Sequence, residues 1–393
     1  MDSGGLTPRR CDCCAEADLV PFSDLGEVPV ETGIHFATEG EATASPLGRV
    51  ILGFCPSCAY VRNLAFDESL IDPTAPTDMN LCHSATFRAF CSQVVADLST
   101  RYALAGRRVL EIGSAQGEFL RELCAVAGCT GVGYDVSYAG PEGPDPSGAD
   151  LRRGPAPLDG DLPAFDFLVS RFVLEHVTDP YGFLLRLRER VGDRRVAGHL
   201  QVPDAGYDLA TAGWELIYPH VSAFNASALH RIATRAGWRV TAVGQCFSGL
   251  IAYLEVSSDG AGAAGDIDVT PLRDRHLAAI RGFDRRHHAQ RRRWRDTIAR
   301  LADEGARPVL WGAGSRGVQL LNLADPDRRF AAVVDVNPRK WGRYLPGTGH
   351  RVDDPACLAG LGTSAVVITN PAYRTEIEKS LADMGVSATV LVA

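Results

Sequence analysis

Apolar and polar positions fall along this chain in two runs of short apolar segments separated by amphipathic stretches. From Arg107 to Val256 the two patterns alternate, which predicts a doubly wound α/β sheet. Its expected strands are RRVLEIG, GVGYD, FDFLVS, GHLQVP, WRVTAVG and GLIAYLEV. A second α/β run follows, with PVLWGAG, AAVVDVN, SAVVITN and ATVLVA as strands. Residues 83–105 read as a helix, and residues 271–305 as one long helix or a bent pair. The small, polar segment SSDGAGAAGD (257–266) reads as a linker. Residues 1–70 are rich in Cys, Pro and Gly and carry strand-like pieces such as RVILGFC. Three parts are expected: a cysteine-rich segment over 1–75, an α/β domain over 76–258, and a helix with a second Rossmann-like domain over 259–393.

Composition narrows the function classes. The chain has 393 residues, 46% apolar and 22% charged, as in ordinary globular proteins. A net charge of -8 argues against a nucleic-acid partner, which needs cationic contacts to phosphate, but leaves room for a small anionic substrate. Ten arginines lie between Arg273 and Arg300, and they read as a solvated, salt-bridged face. No run of about 18 apolar residues exists, so no membrane span is expected. The start, MDSGGLTPRR, lacks an apolar signal core, so a cytoplasmic location is expected.

Cys11 and Cys14 are spaced as a CxxC pair, and so are Cys55 and Cys58. Two such pairs can close a tetrahedral shell around Zn2+, leaving no open position, so the expected role is structural. Cys13 competes with Cys14 for that place, although only Cys14 matches the spacing of FCPSC.

VLEIGSAQGEF (109–119) joins the first strand of the first α/β run to its first helix. Glu111 ends the strand, Gly113 permits a tight turn, and Gly117 lets the chain approach a ligand. Ser114 and Gln116 lie within the same loop. Asp135 ends the next strand, 18 residues after Gly117, where a carboxylate can accept from both ribose hydroxyls. A dinucleotide site would use the same geometry. The acidic residue before the first glycine, Ala115 at the middle glycine position, and the segment SRFVLEHVTDP (170–180) favour S-adenosylmethionine instead. Arg171 in that segment is, with Ser114 and Gln116, an expected cofactor contact, and Asp150, near the end of a shortened third strand, is the candidate adenine contact. The second loop, WGAGSRG (311–317), followed by Asp335, reads as a dinucleotide fingerprint or as a module that helps hold substrate.

These motifs resemble the sugar C-methyltransferases of antibiotic deoxysugar pathways across nearly the whole chain. The resemblance is carried by the paired CxxC knuckles, the LEIG loop, VLEHVTDP, and a C-terminal run of VLWGAGSRGVQLLN, VVDVNPRKWGRYLPGTGH and ITNPAYRTEI. It implies a class I methyltransferase sheet with an N-terminal zinc segment and a second Rossmann-like domain. It also implies methyl transfer to a carbon beside a keto group of a nucleotide-linked sugar, and a closed three-part body expected to be a monomer. The family's Tyr-x-Glu-His stretch falls on IYPHVSAF (217–224), where Tyr218 and His220 match while Pro219 and Ala223 replace the glutamate and a tyrosine. An earlier stretch falls on TDMNLCHSATF (77–87), where His83 matches and the tyrosine is missing.

His220, Tyr218, His83 and His176 are therefore the expected catalytic residues, His220 as base because imidazole titrates near neutrality. Tyr218 orients the substrate or packs in the core, and His176 contacts substrate or caps a helix. The incomplete stretch leaves O- or N-methylation of a natural-product intermediate as the alternative. Arg316, Lys340, Arg343 and Tyr373 are candidate contacts to a nucleotide diphosphate.

Overall fold

The computed structural model describes residues 7–72, 81–260 and 267–393. The domain limit expected near residue 75, the start of the TDMNLCHSATF stretch, and linker residues 261–266 lie outside the described residues.

The N-terminal part supplies β1 (Val20–Pro29), the short helix α1 (Glu39–Thr43), β2 (Leu47–Phe54) and β3 (Val61–Asn63). Helix α2 (Ala85–Arg101) leads into β4 (Arg108–Ile112), α3 (Glu118–Ala127), β5 (Thr130–Asp135), β6 (Gly143–Pro144) and β7 (Ala149–Arg153). Next come β8 (Phe167–Arg171), α4 (Pro180–Val191), β9 (Ala197–Pro203), α5 (Ala205–Thr211), β10 (Ser222–Ala223), α6 (Ala226–Arg235), β11 (Arg239–Cys246) and β12 (Ile251–Ser257). Helices α7 (Thr270–Ile280) and α8 (Phe283–Asp303) form the bent pair, broken at Gly282, whose φ of 79° suits glycine. The last unit runs β13 (Val309–Trp311), α9 (Ser315–Ala324), β14 (Ala332–Val334), β15 (Val352–Asp353), α10 (Leu358–Leu361), β16 (Ala365–Ile368), α11 (Arg374–Asp383) and β17 (Thr389–Val392).

The central sheet has the order β11-β12-β9-β8-β4-β5-β7-β6, the class I methyltransferase arrangement with a small hairpin added at one edge. Its inner strands are parallel, and β12 runs antiparallel between β9 and β11. Helices cover both faces, so a strand such as β8 is buried at every position, with the apolar Phe167, Leu168 and Val169 leading to the buried Ser170 and Arg171. The C-terminal sheet, β15-β14-β13-β16-β17, is parallel throughout. The N-terminal strands form an antiparallel sheet that gains β10 from the central part, through Ala223 opposite Val61. The N-terminal segment is thereby tied into the body of the molecule.

Open α/β sheets bind ligands outside the carboxyl ends of their strands, where the strand order reverses. That point lies between β4 and β8 in the central sheet and between β13 and β16 in the C-terminal one. Residues from both points line one shared cavity. No helix among the described residues is long and apolar enough to cross a membrane.

Candidate active site

The first crevice is shaped by the loop after β4. Gly113 has φ 79°, and a Cβ there would lie 2.1 Å from a methyl of Val173. Gly117 has φ 87°, and its Cβ would lie 2.2 Å from Leu151. Both positions need glycine. The Ala115 N–H donates to Asp135 Oδ2 at 2.7 Å, and Ser137 donates its N–H and hydroxyl to Oδ1 at 2.7 and 2.6 Å. Asp135 is thus aimed across the loop. Gln116 bridges to Ser137 O at 3.0 Å and accepts from the Ala139 N–H at 3.2 Å, so it ties the loop to the end of β5.

Glu111 is 1% exposed, and its Oε2 and the Ser114 hydroxyl are buried without a hydrogen-bond partner. Burial pushes the Glu111 carboxyl up to about 8, with Arg171 pulling the other way. The Arg171 guanidinium lies 4.1 Å from the Phe119 ring centroid, donates to Gln201 Oε1 at 2.8 Å and contacts Cys91 Sγ at 3.3 Å. It is part of the wall, held by side chains.

The structure corrects the position expected for Asp150. It sits at the start of β7, opposite Val132, whereas Arg153 lies opposite Asp135. Its carboxylate is bonded to Arg152 at 2.7 Å. The Pro- and Gly-rich stretch before it forms a hairpin, so the ligand-facing end of this strand is Arg153 and Gly154.

The shared cavity has a volume of about 300 Å³. From the central part it is lined by His83, Phe172, Glu175, His176, Glu215 and His220, and from the C-terminal unit by Gly312, Gly314, Lys340, Thr369 and Tyr373. His83 ends a single turn ahead of α2. Glu175 and His176 lie in the turn just after β8. His220 comes from the loop between α5 and β10, and its ring centroid is 4.9 Å from that of His176.

His176 Nδ1 is 3.0 Å from the Pro219 carbonyl, and His220 Nδ1 is 3.2 Å from the Glu215 carbonyl. Each carbonyl can only accept, so each Nδ1 carries the proton and each Nε2 keeps its lone pair. Burial pushes His220 down to about 4. The His176 side chain is exposed toward the cavity; desolvation by the surrounding protein, then His220, lowers its pKa. Both rings are neutral at pH 7. Glu175 is 2% exposed, and neither carboxylate oxygen has a partner from another residue. Burial raises it to about 8. One donor atom from each of Glu175, His176 and His220 lies within 4.8 Å of the other two.

Tyr218, read from sequence as a catalytic residue or a core residue, is not among the residues lining the cavity. Its ring is fully buried and stacks on Phe66 with centroids 5.3 Å apart. Its hydroxyl accepts from the Asp67 N–H at 2.8 Å and donates to the Asp67 carbonyl at 3.1 Å. The core claims this aromatic side chain, and its polar tip pins the chain at residue 67.

Arg316, in the first turn of α9, is also committed. Its Nη1 and Nη2 reach Asp208 Oδ1 and Oδ2 at 3.1 and 3.0 Å, and its Nε reaches Glu215 at 2.9 Å. Burial pushes Asp208 up while Arg316 pulls it back; the two-point geometry identifies an ion pair. Ser315 donates to Glu215 at 2.8 Å. Glu376 of α11 caps α2, accepting from Ser84 Oγ, Ala85 N and Thr86 N at 2.6, 3.0 and 3.0 Å. These contacts lock the C-terminal unit over the cavity. Asp208 and Glu376 carry no local sequence signal for this role, because their partners lie on distant segments.

At the second glycine loop, Asp335 accepts from the Ala313 N–H at 2.8 Å and from Lys340 Nζ at 3.1 Å. The carboxylate that would take ribose hydroxyls in a nicotinamide site is already neutralised. Arg343 is exposed, whereas Tyr373 faces the cavity with its hydroxyl buried and without a hydrogen-bond partner.

Away from the cavity, Cys11, Cys14, Cys55 and Cys58 converge, all buried, with their sulfurs within 4.8 Å of one another. Cys11 and Cys58 are 3.7 Å apart and Cys14 and Cys55 3.5 Å. A tetrahedral ion at about 2.3 Å from each sulfur sets them about 3.8 Å apart, so the four fit Zn2+. Cys13 donates its thiol to the Ala228 carbonyl at 3.2 Å; its sulfur neighbours those of Cys11 and Cys58 but is not one of the four that converge.

Residues 84–243 match a family model described as a methyltransferase domain, and residues 273–392 match one described as a C-methyltransferase C-terminal domain. No curated protein matches the chain. Among solved structures it is similar to magnesium protoporphyrin IX methyltransferase from Synechocystis PCC 6803 with bound SAH, at 16% identity over 47% of this chain and 90% of that one, TM-score 0.35. It is also similar to an S-adenosylmethionine dependent methyltransferase from Mesorhizobium loti, at 15% identity over 42% and 99% of the two chains, TM-score 0.33. A further likeness is to a SAM dependent methyltransferase from Aquifex aeolicus, at 15% identity over 43% and 97%, TM-score 0.31. Taken with the class I strand order and the glycine loop after β4, the two domain matches identify this chain as an S-adenosylmethionine-dependent methyltransferase that carries a C-methyltransferase C-terminal domain.

Proposed function

We propose that the enzyme methylates a carbon beside the keto group of a nucleotide-linked sugar, or a related keto metabolite of natural-product biosynthesis, held in the cavity between the two Rossmann-like units. One observation carries this reading: Glu175, His176 and His220 meet on the cavity wall next to the cofactor crevice, under the C-methyltransferase C-terminal domain. Bound S-adenosylmethionine supplies an electrophilic methyl on a sulfonium.

The chain's own residues do the rest. Gly113 and Gly117 let the backbone approach the cofactor, Asp135 accepts from its ribose, and Glu111 and Ser114 offer buried oxygens that lack partners. Gln116 and Arg171 hold the walls in place. The Glu175–His176–His220 cluster handles the acceptor's α proton, with His83 across the cavity. Acid–base help of this kind speeds such steps by about 10²–10⁴-fold. The N-terminus of α9 suits the phosphates of a nucleotide. Zn2+ on Cys11, Cys14, Cys55 and Cys58 has a structural role. Tyr218 acts through packing, and Asp150 through its bond to Arg152.

Pro219 and Ala223, where the resembling sugar enzymes have acid–base residues, favour O- or N-methylation as the second reading. Incubation with S-adenosylmethionine and a keto-sugar nucleotide in deuterated water separates the two. The expected product gains a methyl on carbon, and its α protons wash out. Methyl on oxygen or nitrogen with α protons retained would overturn C-methylation.

A further inference from the structure

The triad of Glu175, His176 and His220 is arranged as a ligand set. We propose that these three side chains bind a divalent first-row transition cation, and that the cation takes the acceptor's carbonyl oxygen. The proposal rests on the reading of the cavity as the acceptor site and deepens it.

Three independent features support the site. Its donor atoms lie within 4.8 Å of one another. Ligands at about 2.0–2.2 Å from one ion sit about 3–4 Å apart, so small side-chain rotations close the set. The histidines are also oriented as metal-bound histidines are. Each Nδ1 is anchored on a main-chain carbonyl, of Pro219 for His176 and of Glu215 for His220, which fixes the tautomer and leaves Nε2 to ligate. Finally, Glu175 is a carboxylate 2% exposed with neither oxygen partnered by another residue. Those unpartnered oxygens lack the contact that a bound cation would supply, and a cation beside them would favour the ionised form that burial alone disfavours. Arg316, the buried cation that touches Glu215 nearby, is held by Asp208 and Glu215.

Two imidazoles and one carboxylate suit Mn2+, Fe2+, Co2+ or Zn2+ better than Mg2+ or Ca2+, which prefer oxygen throughout. Three protein ligands leave coordination positions open toward the cavity. The carbonyl oxygen takes one and stabilises the negative charge that arises on it when the α proton leaves. A hydroxide on another position takes that proton and becomes water. The imidazoles then serve as ligands, and the base is the hydroxide they help to generate.

The test uses the full chain without a histidine tag, dialysed against chelator and retaining its cysteine-bound zinc. Mn2+ is titrated in, and free Mn2+ is read by electron paramagnetic resonance. Mn2+ avoids competition at the thiolate cluster. Wild type is expected to take up one Mn2+ per chain, and Glu175→Gln, His176→Ala and His220→Asn are expected to lose that uptake. Far-UV circular dichroism and S-adenosylmethionine binding should be unchanged in at least one of the three variants, which separates loss of ligand from loss of fold. No uptake by wild type, or equal uptake by a folded variant, would overturn the cation. Methyl transfer at full rate in excess chelator would overturn the cation and leave the acceptor reading intact. Uptake with no methylation of keto-sugar nucleotides would instead remove the acceptor reading.

Discussion

Arg316 and Asp208, 108 residues apart in sequence, form a two-point ion pair that joins the C-terminal unit to the methyltransferase sheet. Both side chains are buried, and Glu215 completes the cluster. Removing one partner leaves an uncompensated buried charge, which costs about 3–5 kcal/mol. Arg316→Met is expected to lower unfolding stability in urea by that order, and Arg316→Lys to recover only part of it, because an ammonium cannot reach both oxygens at once. Equal stability of wild type and Arg316→Met would show that this pair does not hold the units together.

Glu111 makes a prediction about protons. Burial raises its pKa from the ordinary 4.5 to about 8, so in the free protein it is protonated at pH 7. The unfolded chain gives up this proton near 4.5 and the folded chain near 8, so stability from this group declines as pH rises between those values. A cationic amino group of the cofactor placed beside Glu111 favours the carboxylate. S-adenosylmethionine binding at pH 7 should therefore release a proton. Calorimetry in buffers of different ionisation enthalpy reads this directly, and Glu111→Gln should abolish the buffer dependence. Identical heats for wild type in all buffers would contradict it.

The cysteine cluster distinguishes neighbours in sequence. Wild type is expected to carry one zinc per chain, and Cys55→Ser to carry none, to expose the N-terminal strands to protease and to have a lower melting temperature. Cys13→Ser should keep the metal, because Cys13 bonds a carbonyl and is not one of the four sulfurs that converge. Zinc per chain by plasma mass spectrometry is the measurement. A zinc-free Cys13→Ser protein would reassign the ligands.

Tyr218 should matter for stability more than for turnover. Tyr218→Phe keeps the buried ring and loses the bonds to Asp67, at a cost of about 1 kcal/mol. Methyl transfer should remain near the wild-type rate. A hundredfold loss of kcat with an unchanged melting temperature would return Tyr218 to the reaction.

Much of the fold was legible because it is written in local patterns. Strands such as β4 and β16 are short, mostly apolar segments of strand length, and the break between α7 and α8 is marked by Gly282. Asp150 was misplaced because the Pro- and Gly-rich stretch ahead of it forms the β6–β7 hairpin, which has no periodic signal. Tyr218 was left open between substrate and core because a motif gives a residue's neighbours along the chain and not the direction of its side chain.

By itself, the sequence determined the main strands of the two α/β runs, the two glycine loops with Asp135 and Asp335 at their second strands, and the two CxxC pairs. Those features depend on spacing and periodicity within a few tens of residues. Only the tertiary structure decided that Cys14 rather than Cys13 completes the cluster, that Lys340 neutralises Asp335, and that Arg316 is spent on Asp208 and Glu215. It alone brought Glu175 and His176 against His220. Each of these outcomes sets one long-range contact against another, and that competition is resolved by burial and charge in three dimensions.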